Sequence, residues 1–311
     1  MIKRDGPVIL QPAAGLEKYH NFYDPKDVAD YREILAGSNL RDGKLPENVT
    51  QDWLDLDGVR AARLTLEGGD HQSLLLHIHG GGFIGGVPCT QQQAMVEIQQ
   101  QAKMDLISLD YGLAPEHPFP AGLEDCVKAY LAALKLGYQP EKTVLIGESA
   151  GGTLSLTTAM YLRDHGLPLP GALVLLSPLM EIPDVKELRR AYESHPGDLK
   201  ELEFIQMYEV YVGDHDTKDP MISPKYGDFH GLPPMLIQCG GSEQMSPTLN
   251  MTQEAMTCAQ KAVEANVDVS LHVWQYMFHV FLFNVGLLPE SDGAIREVAD
   301  YVKRVYQGEH P

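Results

Sequence analysis

The stretch VLIGESAGG, Val144 to Gly152, decides how this chain is read. Its first four residues read as a buried strand, and Ser149 then follows, fenced by small residues. A sharp strand-to-helix turn that lifts a serine hydroxyl for chemistry gives this pattern. So does a glycine-rich connection that holds a serine by chance, because the chain has 29 Gly among 311 residues. The motif is therefore weighed by what surrounds it.

At 311 residues the chain has room for one large α/β domain or two small ones. Its hydrophobic content of 44% and charged content of 22% are those of a globular protein. The formal net charge of −19 argues against nucleic acid and anionic membranes as partners, since both would repel it. Cys89, Cys126, Cys239 and Cys258 show neither C-x-x-C spacing nor a disulfide-dense pattern, so buried free thiols are expected. The opening residues MIKRDGPVIL lack the apolar stretch of a signal peptide, and no run of 18 apolar residues occurs, so a soluble, cytoplasmic protein is expected.

From about residue 74 short apolar runs alternate with helical patterns. LLLHI (74–78), DLISLD (105–110), TVLIG (143–147), ALVLLS (172–177), MLIQCG (235–240) and VSLHVW (269–274) read as strands. Helical patterns separate them over 90–103, 121–134, from Ala150 onward, and over 248–264. Such alternation predicts a mostly parallel central sheet flanked by helices, with ligands beyond the carboxyl ends of its strands. Two segments break the rhythm. Residues 1–60 are aromatic and helix-like with no strong strand, and about 181–220 form a charged, mostly helical insertion. Together they are expected to form a helical cap over that edge, with 61–311 as the catalytic domain.

The strand ends carry the chemistry. After LLLHI comes His79-Gly80-Gly81-Gly82, whose bare backbone lets N–H groups approach a bound oxygen. After TVLI comes Gly147-Glu148-Ser149-Ala150-Gly151. These are the forms of an oxyanion loop and a nucleophile elbow in an α/β-hydrolase fold. A serine alcohol needs a general base, and a developing oxyanion needs fixed donors, here the amides of Gly81, Gly82 and Ala150. The base is expected after the last strand, where MFHVF places His279. His272 and His77 fall within strand patterns, and His79 is read as shaping the oxyanion loop. The orienting carboxylate is expected between nucleophile and base in chain order, and Glu243 follows a strand end and two glycines. Asp228, Glu254 and Asp268 are its rivals: the first precedes that strand, the second lies within a helix, and the third opens the next strand at its wrong end.

The ordered motifs HGGGFIGG (79–86), DYGLAPEHPFPAGLEDC (110–126), GESAGG (147–152), DPMISP (219–224), GLPPMLIQCGGSE (231–243) and MFHVF (277–281) give the chain a family resemblance. It resembles the hormone-sensitive-lipase family of α/β-hydrolase esterases over about residues 70–290. The resemblance implies Ser149 as nucleophile, His279 as base, Glu243 as acid, and an oxyanion hole from the glycines after His79 with the Ala150 amide. It also implies a cap built from an N-terminal segment and an insertion after the strand that follows the nucleophile helix. Gly112 stands where the family usually has Arg, and Glu243 where it mostly has Asp.

The expected function is that of a serine carboxylesterase for short-chain acyl esters, working through an acyl-enzyme. No metal or organic cofactor is implied. The expected partner is a small-molecule ester, and a homodimer is compatible with the resemblance. Hydrolysis of amides, carbamates or aryl acetates by the same triad is the enzymatic alternative. A non-catalytic small-molecule receptor is the alternative from another class.

Overall fold

A computed structural model describes residues 18–37, 44–88, 92–246 and 249–307. Its elements run α1 (Pro25–Ala36), β1 (Val49–Leu56), β2 (Val59–Leu66), β3 (Asp70–Ile78), α2 (Gln92–Ala102), β4 (Met104–Asp110) and α3 (Ala121–Lys135). They continue through β5 (Thr143–Glu148), α4 (Ala150–Asp164), β6 (Ala172–Leu176), α5 (Val185–Ser194), α6 (Leu199–Val212) and β7 (Met235–Gly240). The chain closes with a small ribbon of β8 (Gln244–Ser246) and β9 (Leu249–Asn250), then α7 (Met251–Glu264), β10 (Val269–Trp274) and α8 (Pro289–Tyr306).

Eight strands form one sheet in the order β1-β2-β4-β3-β5-β6-β7-β10. The pairs from β4 to β10 are parallel, whereas β1–β2 and β2–β4 are antiparallel. Side chains alternate across each strand, and both faces of the central strands β4, β5, β6 and β7 are buried. On β5, Leu145 packs into one apolar cluster with residues of α3, α4 and α7, while Val144 and Ile146 pack into a second with residues of α2 and α8. Double burial explains why these strands read as continuous apolar runs.

The expectation that residues 1–60 are helix-like with no strong strand is corrected at its far end, where β2 begins at Val59 and Val49–Leu56 form the edge strand β1. Five of its eight side chains are exposed, so β1 is held chiefly by backbone pairing to β2 and leaves little hydrophobic signal. The rest of that segment contributes α1, while residues 1–17 and 38–43 lie outside the described residues.

The insertion folds as α5 and α6, and the N-terminal segment is tied to α6. The His20 N–H donates to Glu203 Oε2 at 3.0 Å, the Tyr23 hydroxyl to Glu209 Oε2 at 2.6 Å, and the Gln206 amide to Asn21 Oδ1 at 3.2 Å. Arg32 of α1 reaches the loops below, donating to the carbonyls of Ile84 at 2.7 Å and Ala114 at 2.9 Å and pairing with Glu116. Cys126, Cys239 and Cys258 are buried free thiols, and Cys89 lies outside the described residues. Among the described residues no helix is long and apolar enough to cross a membrane.

Candidate active site

β5 ends at Glu148 and α4 begins at Ala150, so Ser149 makes the turn between them, at φ 53° and ψ −120°. Such backbone costs a residue with a Cβ about 1–3 kcal/mol and persists only where packing enforces it. The Ser149 N–H donates to Leu176 O at 2.8 Å, which ties the turn to the end of β6. Close approach explains the flanking glycines. A Cβ on Gly147 would sit 2.3 Å from the Gly151 carbonyl oxygen, and one on Gly151 would sit 1.9 Å from that of Ile78. The Ala150 N–H belongs to the first turn of α4, whose amides have no intrahelical acceptor and carry the positive end of the helix dipole.

The loop after β3 lies against this turn. Gly80 donates its N–H to Glu148 Oε1 at 2.6 Å, and its carbonyl accepts from His79 Nδ1 at 2.8 Å. Burial pushes the His79 imidazole down to about 4, so at neutral pH it carries one proton, and a carbonyl partner places that proton on Nδ1. The Tyr111 hydroxyl donates to the His79 carbonyl at 2.7 Å, and the two rings stack at 4.4 Å. With the Gly80 N–H engaged, Gly81 and Gly82 are the glycines of the loop with amides to offer a ligand. The thioether of Met207, from α6, lies directly on Gly82, where a Cβ would be 2.1 Å from its sulfur. Phe83 and Tyr211 stack beside it at 3.8 Å with ring planes 9° apart.

His279 lies on the loop after β10. That loop folds onto the end of β7: Ser242 N–H donates to Met277 O at 2.9 Å, and a Cβ on Gly240 would be 2.2 Å from the same oxygen. Glu243 lies just past β7 with its carboxyl fully buried. Its Oε2 lies 3.0 Å from His279 Nδ1, while Oε1 accepts from the Ser177 hydroxyl at 2.8 Å and from the Gly240 N–H. Ser149, Ser177, Glu243 and His279 thus stand at the carboxyl ends of the neighbouring strands β5, β6, β7 and β10.

The rival residues are engaged elsewhere. His272 pairs with Glu297 at 2.7 Å, and His77 with Glu148 at 2.9 Å. Asp228 is exposed beside His230, Glu254 accepts the Met180 N–H at 2.8 Å, and Asp268 lies at the amino end of β10. Three features escaped the sequence reading: Ser177 as a partner of Glu243, Met207 against Gly82, and Glu148 holding Gly80. Ser177 had a positional signal, since it follows a strand at its carboxyl end. The other two contacts join distant segments and leave no local trace. Backbone strain marks the same region. Among the described residues eight non-glycine positions have positive φ, and Phe83, Ser149, Ser177 and Val280 are four of them.

Comparison with known proteins agrees with this architecture. Residues 75–283 match a family described as having the alpha/beta hydrolase fold. An acetyl-hydrolase of Streptomyces hygroscopicus is 34% identical over 287 residues, covering 92% of this chain and 91% of that protein. Human hormone-sensitive lipase is 33% identical over 151 residues, 46% of this chain and 14% of that protein. The crystal structure of a hormone-sensitive lipase from a metagenome library superposes with a TM-score of 0.79 at 34% identity, covering 94% of each chain. An esterase from the bacterial hormone-sensitive lipase family superposes with a TM-score of 0.77 at 32% identity, covering 90% of this chain and 91% of that one. With its parallel sheet and a serine raised at a strand-to-helix turn, the chain belongs to the hormone-sensitive-lipase family of α/β-hydrolase esterases and is a carboxylic ester hydrolase.

Proposed function

We propose that this protein hydrolyses short-chain acyl esters by a serine mechanism, with Ser149 as nucleophile, His279 as general base and Glu243 as the orienting acid. The observation that carries the reading is the buried Glu243 carboxylate 3.0 Å from His279 Nδ1, two strand ends from the strained Ser149 turn. Bonded there, Nδ1 holds its proton and leaves Nε2 as the acceptor. His279 then deprotonates Ser149 as it attacks the ester carbonyl, and Glu243 stabilises the imidazolium. The oxyanion rests on the amides of Gly81, Gly82 and Ala150. Collapse expels the alcohol, protonated by His279, and leaves an acyl-enzyme that His279-activated water clears.

The helices α5 and α6, with the N-terminal segment bound to them, act as a cap over this edge. Met207 supports the short-chain preference, because its side chain takes up space directly above one oxyanion donor. An organophosphate tests the mechanism: a single covalent adduct should map to Ser149. Ser149→Ala should take up none and lose more than about 10³-fold in kcat, since triad losses run to many powers of ten. A variant that kept a tenth of wild-type activity would overturn the assignment.

A further inference from the structure

Resting on the serine-esterase reading, we propose that Glu148 is a positioning residue for the oxyanion hole and acts through Gly80. Its carboxylate is the centre of a buried chain that spans three strands. Ser108 Oγ of β4 lies 2.9 Å from His77 Nδ1 of β3, and His77 Nε2 lies 2.9 Å from Glu148 Oε2 at the end of β5. The remaining oxygen, Oε1, accepts the Gly80 N–H at 2.6 Å. His77, Ser108 and Glu148 are each 2% exposed or less. Sheet register places them together, for His77 pairs with Ser108 across the β3–β4 ladder and with Ile146 across the β3–β5 ladder.

Peptide geometry explains why one bond to Gly80 governs the donors that follow. A trans peptide is planar, so its C=O and the next N–H point in opposite directions. The Gly80 carbonyl is held by His79 Nδ1 at 2.8 Å, which fixes the direction of the Gly81 N–H. The peptide before Gly80 is held by Glu148. Both planes flanking Gly80 are thereby set, and a residue with a Cβ is shut out, since that atom would lie 2.7 Å from the Glu148 carbonyl oxygen. Without the carboxylate the peptide before Gly80 keeps only the Tyr111 bond at its carbonyl, its N–H loses its anchor beside the elbow, and the glycine loop can tilt away from Ser149. A misplacement of about 1 Å costs on the order of 10² in rate.

Substitutions at Glu148 separate this role from one played by its charge. Glu148→Gln keeps a carbonyl oxygen for Gly80, which can only donate, and turns its NH₂ toward His77 Nε2. His77 accepts there with its proton on Nδ1, facing Ser108 Oγ. Glu148→Met fills the same volume without an acceptor, and the double variant Glu148→Met/His77→Leu removes the buried unpaired imidazole so that the fold is retained. On p-nitrophenyl acetate the expected result is kcat within about threefold of wild type for the Gln variant. For both Met variants kcat should fall about 30- to 100-fold, with KM changed less than about threefold. The inhibition constant of a trifluoromethyl ketone, whose adduct carries the oxyanion, should rise in step with that loss. Wild-type kcat and inhibition in the double variant, or a Gln variant as impaired as the Met variants, would overturn the proposal. Ser149→Ala, run alongside, keeps the two readings apart. If it stays active, the serine mechanism fails. If it is inactive while the Glu148 variants behave as wild type, the positioning role alone fails.

Discussion

Glu243→Gln tests the proposed orienting acid by exchanging one oxygen for an NH₂. Gly240 can only donate its N–H to the side chain, so the amide oxygen must occupy the Oε1 position, where Gly240 and Ser177 meet it. The NH₂ then faces His279 Nδ1, where the carboxylate oxygen lay at 3.0 Å. Nδ1 must accept, the ring proton moves to Nε2, and the imidazole can no longer take a proton from Ser149. Turning the amide over sets NH₂ against the Gly240 N–H and leaves a buried donor unpaired, which costs about 1–3 kcal/mol. The charge-assisted bond to the imidazolium, worth about 1.5–3 kcal/mol, is lost in either orientation. Together these raise the barrier by about 2.5–6 kcal/mol, a fall of roughly 10²- to 10⁴-fold in kcat. KM should stay within about threefold, because the interaction is made in the transition state. Steady-state kinetics on p-nitrophenyl acetate, with melting curves to verify folding, read both quantities. Glu243→Asp should lie between wild type and Gln, since its charge is kept but its reach is one methylene shorter. A Gln variant with wild-type kcat would refute the reasoning.

Chain length is read from a panel of p-nitrophenyl esters: acetyl to hexanoyl should turn over faster than dodecanoyl. Met207→Ala should shift that ratio toward longer acyl groups by about tenfold, within the discrimination that small changes of apolar pocket volume give. An unchanged ratio would remove Met207 from the acyl path. Gly151→Ala should destabilise the fold by at least about 1–3 kcal/mol in a denaturant titration, because its Cβ would meet the Ile78 carbonyl oxygen at 1.9 Å and backbone cannot give way cheaply. Acid stability follows from His79, which burial holds at about 4 against an ordinary 6.5. Below the ordinary value the unfolded chain binds a proton that the folded chain refuses, so stability falls as pH drops from about 6.5 to about 4, by up to roughly 3 kcal/mol. His79→Gln should flatten that part of the stability–pH curve, whatever it does to stability at pH 7.

The sequence by itself determined the parallel core and the strand ends at which Ser149, Glu243 and His279 stand. Strands such as 143–148 and 172–176 are buried on both faces, so their apolar runs are continuous and visible without neighbours. The glycines around Ser149 were visible too, because local crowding between elbow and loop leaves no room for a Cβ. Tertiary structure alone decided the rest. β1 hides because an exposed edge strand is specified by backbone pairing to β2 rather than by a buried face. Of the four candidate acids, Glu243 is the one whose oxygen lies at His279 Nδ1, and that choice rests on loops 36 residues apart meeting at adjacent strand ends. The contacts of Ser177 with Glu243, Met207 with Gly82 and Glu148 with Gly80 likewise join distant segments. Periodicity records which face of an element is buried; it carries no record of which partner that face will meet.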